Sequence, residues 1–412
     1  MTGRSGWIGR GAGPGRSAPS CRGGIALALG LALAALPAAA PATPYIPTDD
    51  AQIVERLPQA GNTTFRQLRR LQEVLRQAPD NLDLALIVAT RDHEAARAEA
   101  DPRFDGYAEA ALKPWLDLPD PPAPVLLLRA TLRQSRHDFP AALADLDRVA
   151  AAMPRNPQVW LTRAVVLQVE GEPDQALASC AKLRRLAEPL VFTLCEANIR
   201  SLGADAKTAY AGLAEALDQP NTKPALRLWA LTVLGETAAR LGDPAAAEQH
   251  FRAGLALGID DAYLLGAFAD FLLDQGRPEE VRALLEARKR IDPLMLRLTL
   301  AEAALDGPSL DRDRADLAER FAATRLRGDR SHLREEARFT LTVLHRPAAA
   351  LDLAQANWQV QHEPWDARLL LETALAAGRP EAARPALDWL AQTGLDDVHL
   401  RPLVARLDGS NR

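Results

Sequence analysis

The sequence holds only three cysteines in 412 residues, too few for a disulfide-stapled scaffold. No two of them are spaced as C-x-x-C, and the seven histidines never fall in an i, i+4 pair, so the familiar zinc signatures are missing. There is no G-x-S-x-G, no H-E-x-x-H and no Walker loop. The glycines of GRGAGPGRS lie in the segment before the apolar run and follow no strand, so they are not expected to form a phosphate cradle. No catalytic residue, no cofactor and no metal ligand is therefore expected, and the chain reads as a non-enzyme. Lysine occurs only at positions 113, 182, 207, 223 and 289. Without the four arginines of the first forty residues, 45 basic residues face 54 acidic ones, a net charge of -9. That balance argues against nucleic acid and anionic lipid as main partners.

Long apolar runs are also missing, with one exception. Arg4, Arg10, Arg16 and Arg22 precede IALALGLALAALPAAA, which ends in small residues at Ala38 to Ala40. This is the pattern of an export signal; an uncleaved anchor is the alternative, although sixteen residues including a proline are short for a span. The reading is a signal or anchor over 1–40, a linker over 41–62, a folded region over 63–395 and a polar capping helix and tail over 396–412. Export points to the periplasm of a Gram-negative bacterium, with membrane contact only through an uncleaved leader.

What the chain has in quantity is alanine, glycine and proline in register. LDQGRPEEVRALL and LAAGRPEAARPAL place Gly276 and Gly378 102 residues apart, three times 34, and Gly242 lies another 34 before Gly276. A fourth copy has Gly171 and Pro173. Each glycine suits the left-handed position that ends a helix, and each proline two residues later suits the first turn of the next. Small residues flank these turns. Seven before the glycine come Ala164, Gly235, Ala269 and Leu371; five after it come Ala176, Ala247, Val281 and Ala383. Extending the phase to units without the glycine gives Ala89, Ala130, Ala197, Ala303 and Ala337, then Ala108, Ala142, Ala209, Ala315 and Ala349. Units are predicted to start near 82, 123, 157 and 190 and then at 228, 262, 296, 330 and 364, with insertions around AEADPRF and DQPNTKP.

A 34-residue helix-turn-helix with small residues at its eighth and twentieth places resembles the tetratricopeptide repeat. Trp160, Ala164, Gly171 and Ala176 carry the likeness in one unit, and Pro79, Pro154 and Pro293 fit its closing proline. The resemblance implies an all-α solenoid, a right-handed superhelix of about nine or ten stacked hairpins with a concave groove. It also implies a protein or peptide partner lying in that groove. The family's groove is lined by places two, five, nine, twelve and thirteen of each first helix. Here these include Gln134, Gln168, Asn198, Trp229, Glu236, Arg240, Tyr263, Asp270, Arg334, Arg338 and Trp365. Gln134 and Gln168, one repeat apart, are expected to stack as a ladder. The groove is expected to run from amide-rich through acidic to basic, for a partner of matching charge order. A solvated face that binds nothing is the bland alternative for each of these residues.

Cys180 and Cys195 lie eight before and seven after a turn near Glu188, at one height on antiparallel helices, so a disulfide is open to them; two separate buried thiols are the alternative. Trp115, Trp160, Phe251 and Trp389 fall at helix-packing phases and are read as core. Two other functions stay open: a subunit of envelope glycan metabolism, which needs exposed aromatics and carboxylates clustered in one cleft, and a structural spacer. The sequence leaves the oligomeric state undetermined.

Overall fold

A computed structural model describes residues 63–99, 101, 103–218 and 222–410. The expected leader and linker lie outside the described residues, which all belong to one compact unit beginning at Ala60. A single helix, α1 (Thr63–Gln77), leads into nine hairpins among the described residues. They are α2 (Leu82–Glu99) with α3 (Arg103–Leu116), α4 (Ala123–Ser135) with α5 (Phe139–Ala152), α6 (Pro157–Val169) with α7 (Pro173–Leu183), and α8 (Pro189–Arg200) with α9 (Ala206–Leu217). Next come α10 (Pro224–Leu241) with α11 (Pro244–Leu255), α12 (Ala262–Asp274) with α13 (Pro278–Leu285), and α14 (Asp292–Ala304) with α15 (Leu310–Leu326). Last are α16 (Leu333–Thr342) with α17 (Pro347–Trp358), and α18 (Pro364–Ala376) with α19 (Arg384–Thr393), the latter entered through a 3-10 turn at Pro380–Ala383. Helix α20 (Arg401–Ser410) closes the stack, burying Leu407 and exposing Arg401, Arg406 and Asp408.

The turns are built as their residues demand. Gly171, Gly242, Gly276 and Gly378 have φ of 82°, 83°, 67° and 66°, so each ends its helix in the left-handed region. Pro173, Pro244, Pro278 and Pro380 each open the element that follows. His137, 34 residues before Gly171, takes the same conformation at φ 59°, as do Asp306 and His345 in their turns. A side chain there costs on the order of 1–2 kcal/mol. Gly276→Ala should therefore destabilise the protein by about 1 kcal/mol although nothing lies within 4 Å of the added carbon. Gly212→Ala, inside α9 with equally open space, should stabilise by about 0.5–1 kcal/mol. Urea unfolding of both variants checks the opposite signs; equal shifts would show that the backbone of residue 276 carries no strain.

Small residues let paired helices approach closely. In the glycine-turn units the flanking slots are buried, Ala164, Ala176, Ala247, Ala269, Val281, Leu371 and Ala383 all being at most 1% exposed. A carbon added to Gly235 would stand 2.7 Å from the Phe251 ring, which is why that slot is glycine. The phase fails in two units. Ala303 is half-buried and Ala315 and Ala349 are exposed, while Ala301, two places before the first, and Ala350, one place after the last, are buried. The even spacing after residue 228 fails with it: first helices start at 224, 262, 292, 333 and 364. Helix α10 starts at Pro224, the last residue of DQPNTKP and about one turn before the expected start at 228, and Pro293 sits in the first turn of α14 rather than closing a unit. The long α15, 17 residues, then restores the average.

Neighbouring units are stitched by ion pairs near the repeat spacing, such as Arg136 with Glu109 and Arg277 with Glu248. Cys180 of α7 and Cys195 of α8 form a disulfide with Cα atoms 5.7 Å apart. Phe251 and Trp389 are buried as expected. Trp115 and Trp160 are half-buried against core clusters, with Trp160 Nε1 donating to the Pro154 carbonyl. Among the described residues no helix is long and apolar enough to cross a membrane, and no cluster of His, Cys, Asp and Glu could hold a metal ion.

The stack also meets itself. The His362 amide donates to the Val169 carbonyl at 2.7 Å and its ring nitrogen lies 2.8 Å from the Glu170 carbonyl. The Val398 amide donates to the Arg240 carbonyl, and the Ala204 amide to that of Thr393. Loops of the last units thus dock on hairpin turns from the middle of the chain, against Gly171 and Gly242, where added carbons would meet His362 and Val398.

Candidate functional site

The first helices of the later hairpins face one another across a tightly curved inner surface. Asp270 on α12 accepts from Arg297 on α14, at 2.9 and 2.5 Å, and from Arg338 on α16, at 2.5 Å. Asp274 at the end of α12 accepts two bonds of 2.8 Å from Arg368 on α18. Contacts that skip one and two units require strong curvature with these helices inside. Arg334 on α16 holds Asp366 and Glu363 at 2.6 Å each. Trp365 has the guanidiniums of both Arg338 and Arg368 4.4 Å from its ring centroid, close enough for cation–π attraction.

Electrostatics follow from this crowding. Burial disfavours the Asp270 carboxylate, but Arg297 and Arg338 outweigh it and hold the carboxyl below its ordinary range. Burial pushes Asp366 up to about 6 despite Arg334. Glu236 on α10 is also raised, chiefly by burial. Its Oε1 accepts from the Tyr263 hydroxyl at 3.0 Å, and Glu236 in turn pushes the Tyr263 hydroxyl well above its usual value, with burial adding to it. Tyr263 is nevertheless 64% exposed.

Seven of the eleven expected groove residues converge here: Glu236, Arg240, Tyr263, Asp270, Arg334, Arg338 and Trp365. Their relation differs from the expectation of acidic and basic stretches laid out along an open groove. The stack curves so tightly that Asp270 meets Arg338 directly, and the charge order is neutralised within the protein. The cavity between α10, α12 and α18 has a volume of only about 70 Å³. The other four residues lie elsewhere. Gln168 accepts from Asn198 rather than stacking on Gln134, Gln134 is half-buried on α4, and Trp229 packs against the Leu194 and Leu234 cluster. Arg240 donates to the hydroxyls of Ser201 and Thr237, and its Nε is buried without a partner among the described residues.

Arg297, Asp274 and Arg368 belong to the site and were not among the expected residues. The signal was present, since they occupy the second, thirteenth and fifth places of the units read from 296, 262 and 364. Asp366, Glu363 and the inward-facing ends near Asp397 and His399 fall outside those places and left no such mark.

Hairpins closed by left-handed residues near every 34, with buried alanines on both helices and first helices lining a concave face, complete the description. The chain is a tetratricopeptide-like solenoid. No protein-family model matches it, and no curated protein is similar to it in sequence. Solved structures similar to this solenoid include the Cut9-Hcn1 hetero-tetramer of the APC/C, with a TM-score of 0.39 and 14% identity over 84% of this chain and 52% of that one. The chain thus spans about half the length of the Cut9-Hcn1 chain it matches. The TPR domain of P58(IPK) aligns with a TM-score of 0.22 and 16% identity over 84% of this chain and 98% of that domain.

Proposed function

We propose that this solenoid is a non-catalytic scaffold that binds a protein partner at the inner wall around Tyr263. The observation that carries the reading is a large aromatic side chain, 64% exposed, held in place by Glu236 inside a concave, otherwise paired surface. Preorganised aromatic anchors of this kind dominate interface energetics. Among the described inner residues each arginine from Arg297 to Arg368 is held by a carboxylate, whereas Glu236 and Glu335 make no contact ion pair and are offset only at longer range, by Arg240 and by Arg334. That favours a partner segment with a basic side chain set beside an apolar one. The glycan reading is weaker, because the ring of Trp365 is taken up by two guanidiniums and offers no platform for a sugar. The export-type leader and the Cys180–Cys195 bond support work in an oxidising compartment, the cell envelope of a Gram-negative bacterium.

A photo-crosslinking residue at position 263, compared with one at Leu326, which is 89% exposed on α15, tests the proposal. One partner captured from 263 alone, and lost from a folded Glu236→Gln protein, is expected. Equal capture at both positions, or none, favours a spacer with no inner ligand.

A further inference from the structure

A second cavity, remote in sequence from the inner wall, lies between α1, α2 and α3 and has a volume of about 360 Å³, within the range of small-molecule sites. Leu75, Val88 and Ala111 give it apolar walls, and Asp92 lines it as well. Asp92 is 0% exposed. Gln72 donates to its Oδ1 at 2.7 Å, but its Oδ2 is buried without a hydrogen-bond partner among the described residues. An unpaired carboxylate oxygen in such surroundings is costly. Burial pushes the carboxyl up to about 6, with the Gln72 bond opposing.

A second acceptor borders the same space. Pro114 lies inside α3 and has no amide hydrogen, so the Ala110 carbonyl one turn earlier lacks its helical donor; both residues line the cavity. Arg76, which lines the cavity, is engaged by Glu73 on its own helix. The cavity therefore offers an apolar volume, two acceptors short of donors and one uncompensated negative charge.

We propose that this cavity binds a primary ammonium group carried on an aliphatic stem, the stem filling the apolar walls and the ammonium donating to Asp92 Oδ2 and the Ala110 carbonyl. The chemistry is that of a free aliphatic amine or of a lysine side chain on a polypeptide. An alkyl alcohol of the same length lacks the charge. An alkyl carboxylate would meet Asp92 with a like charge.

Calorimetric titration of the full chain with n-hexylamine, 1-hexanol and Nα-acetyl-lysine methylamide at pH 7.5 tests this. Hexylamine should bind about tenfold or more tightly than hexanol, because charge-assisted bonds are about twice as strong as neutral ones. The Asp92→Asn protein, which keeps the shape and loses a buried charge, should fold at least as well and lose that preference. Ala110→Leu keeps Asp92, fills the cavity and should weaken both ligands. Comparable binding of the lysine derivative would assign the site to a polypeptide side chain; binding of hexylamine alone would assign it to a free amine. Equal affinity for hexanol and hexylamine, or an undiminished amine preference in Asp92→Asn, would overturn the proposal.

Discussion

Asp270→Asn should destabilise the protein by about 3–5 kcal/mol, the usual loss when one partner is removed from a buried ion pair. Asp270 is 4% exposed and is the shared acceptor for Arg297 and Arg338. The substitution leaves two guanidiniums enclosed without their carboxylate, so the upper part of that range applies. The pH dependence follows from the sign of the shift. Because the folded carboxyl is held below its ordinary range, its stabilisation is fully present above the unfolded value near 4 and disappears as the pH falls through the folded value. Urea unfolding at pH 7 measures the loss, and adding Arg338→Met to Asp270→Asn should recover part of it by removing one stranded charge. A loss below about 1 kcal/mol would mean that water reaches this pair freely and that the inner wall is far less enclosed than its geometry indicates.

Reduction of the Cys180–Cys195 bond should cost about 3 kcal/mol, the loop-closure value for a cross-link of this size, given a sequence separation of 15. The bond joins the second helix of one hairpin to the first of the next, so it ties two units together rather than stapling one. In a stack whose units are coupled mainly to their neighbours, the loss should fall locally. Hydrogen exchange with and without reductant should show faster exchange over residues 173–200, with little change in α1 to α3. The Cys180→Ala, Cys195→Ala double variant should reproduce the pattern without reductant. Uniform acceleration along the whole chain would show instead that the stack unfolds as one cooperative block.

The architecture was largely legible because the turn chemistry is local. Gly171, Gly242, Gly276 and Gly378 announce a backbone conformation that few other residues tolerate, and the alanines around them report how close two helices must come. The same hairpin arithmetic put Cys180 and Cys195 at one height but left a bond and two separate thiols both open; the structure holds the bond. Where the turn is made by Asp306 or His345 no such mark exists, and there the phase slipped by one or two residues, exposing Ala315 and Ala349. The candidate site was legible by position and not by relation. Repeat places picked out Asp270 and Arg338, yet whether they meet depends on the tilt accumulated over two units, and no residue pair encodes that tilt. The expectation of an open amide ladder failed for the same reason: curvature paired Gln168 with Asn198.

The docking of His362 on Val169, 192 residues away for the ring contact with Glu170, gives the molecule a clasp that an open-ended stack lacks. A stack with contacts only between neighbours can gain or lose a repeat at modest cost, since each new unit sees the same surroundings. Here a repeat inserted between α10 and α17 would carry His362 and Val398 past their receiving carbonyls, and the Thr393 carbonyl past the Ala204 amide. The number of units is thereby fixed by the circumference they must close. The last hairpin can seat only after the middle of the chain has folded, so the completed clasp reports that every intervening hairpin is in place.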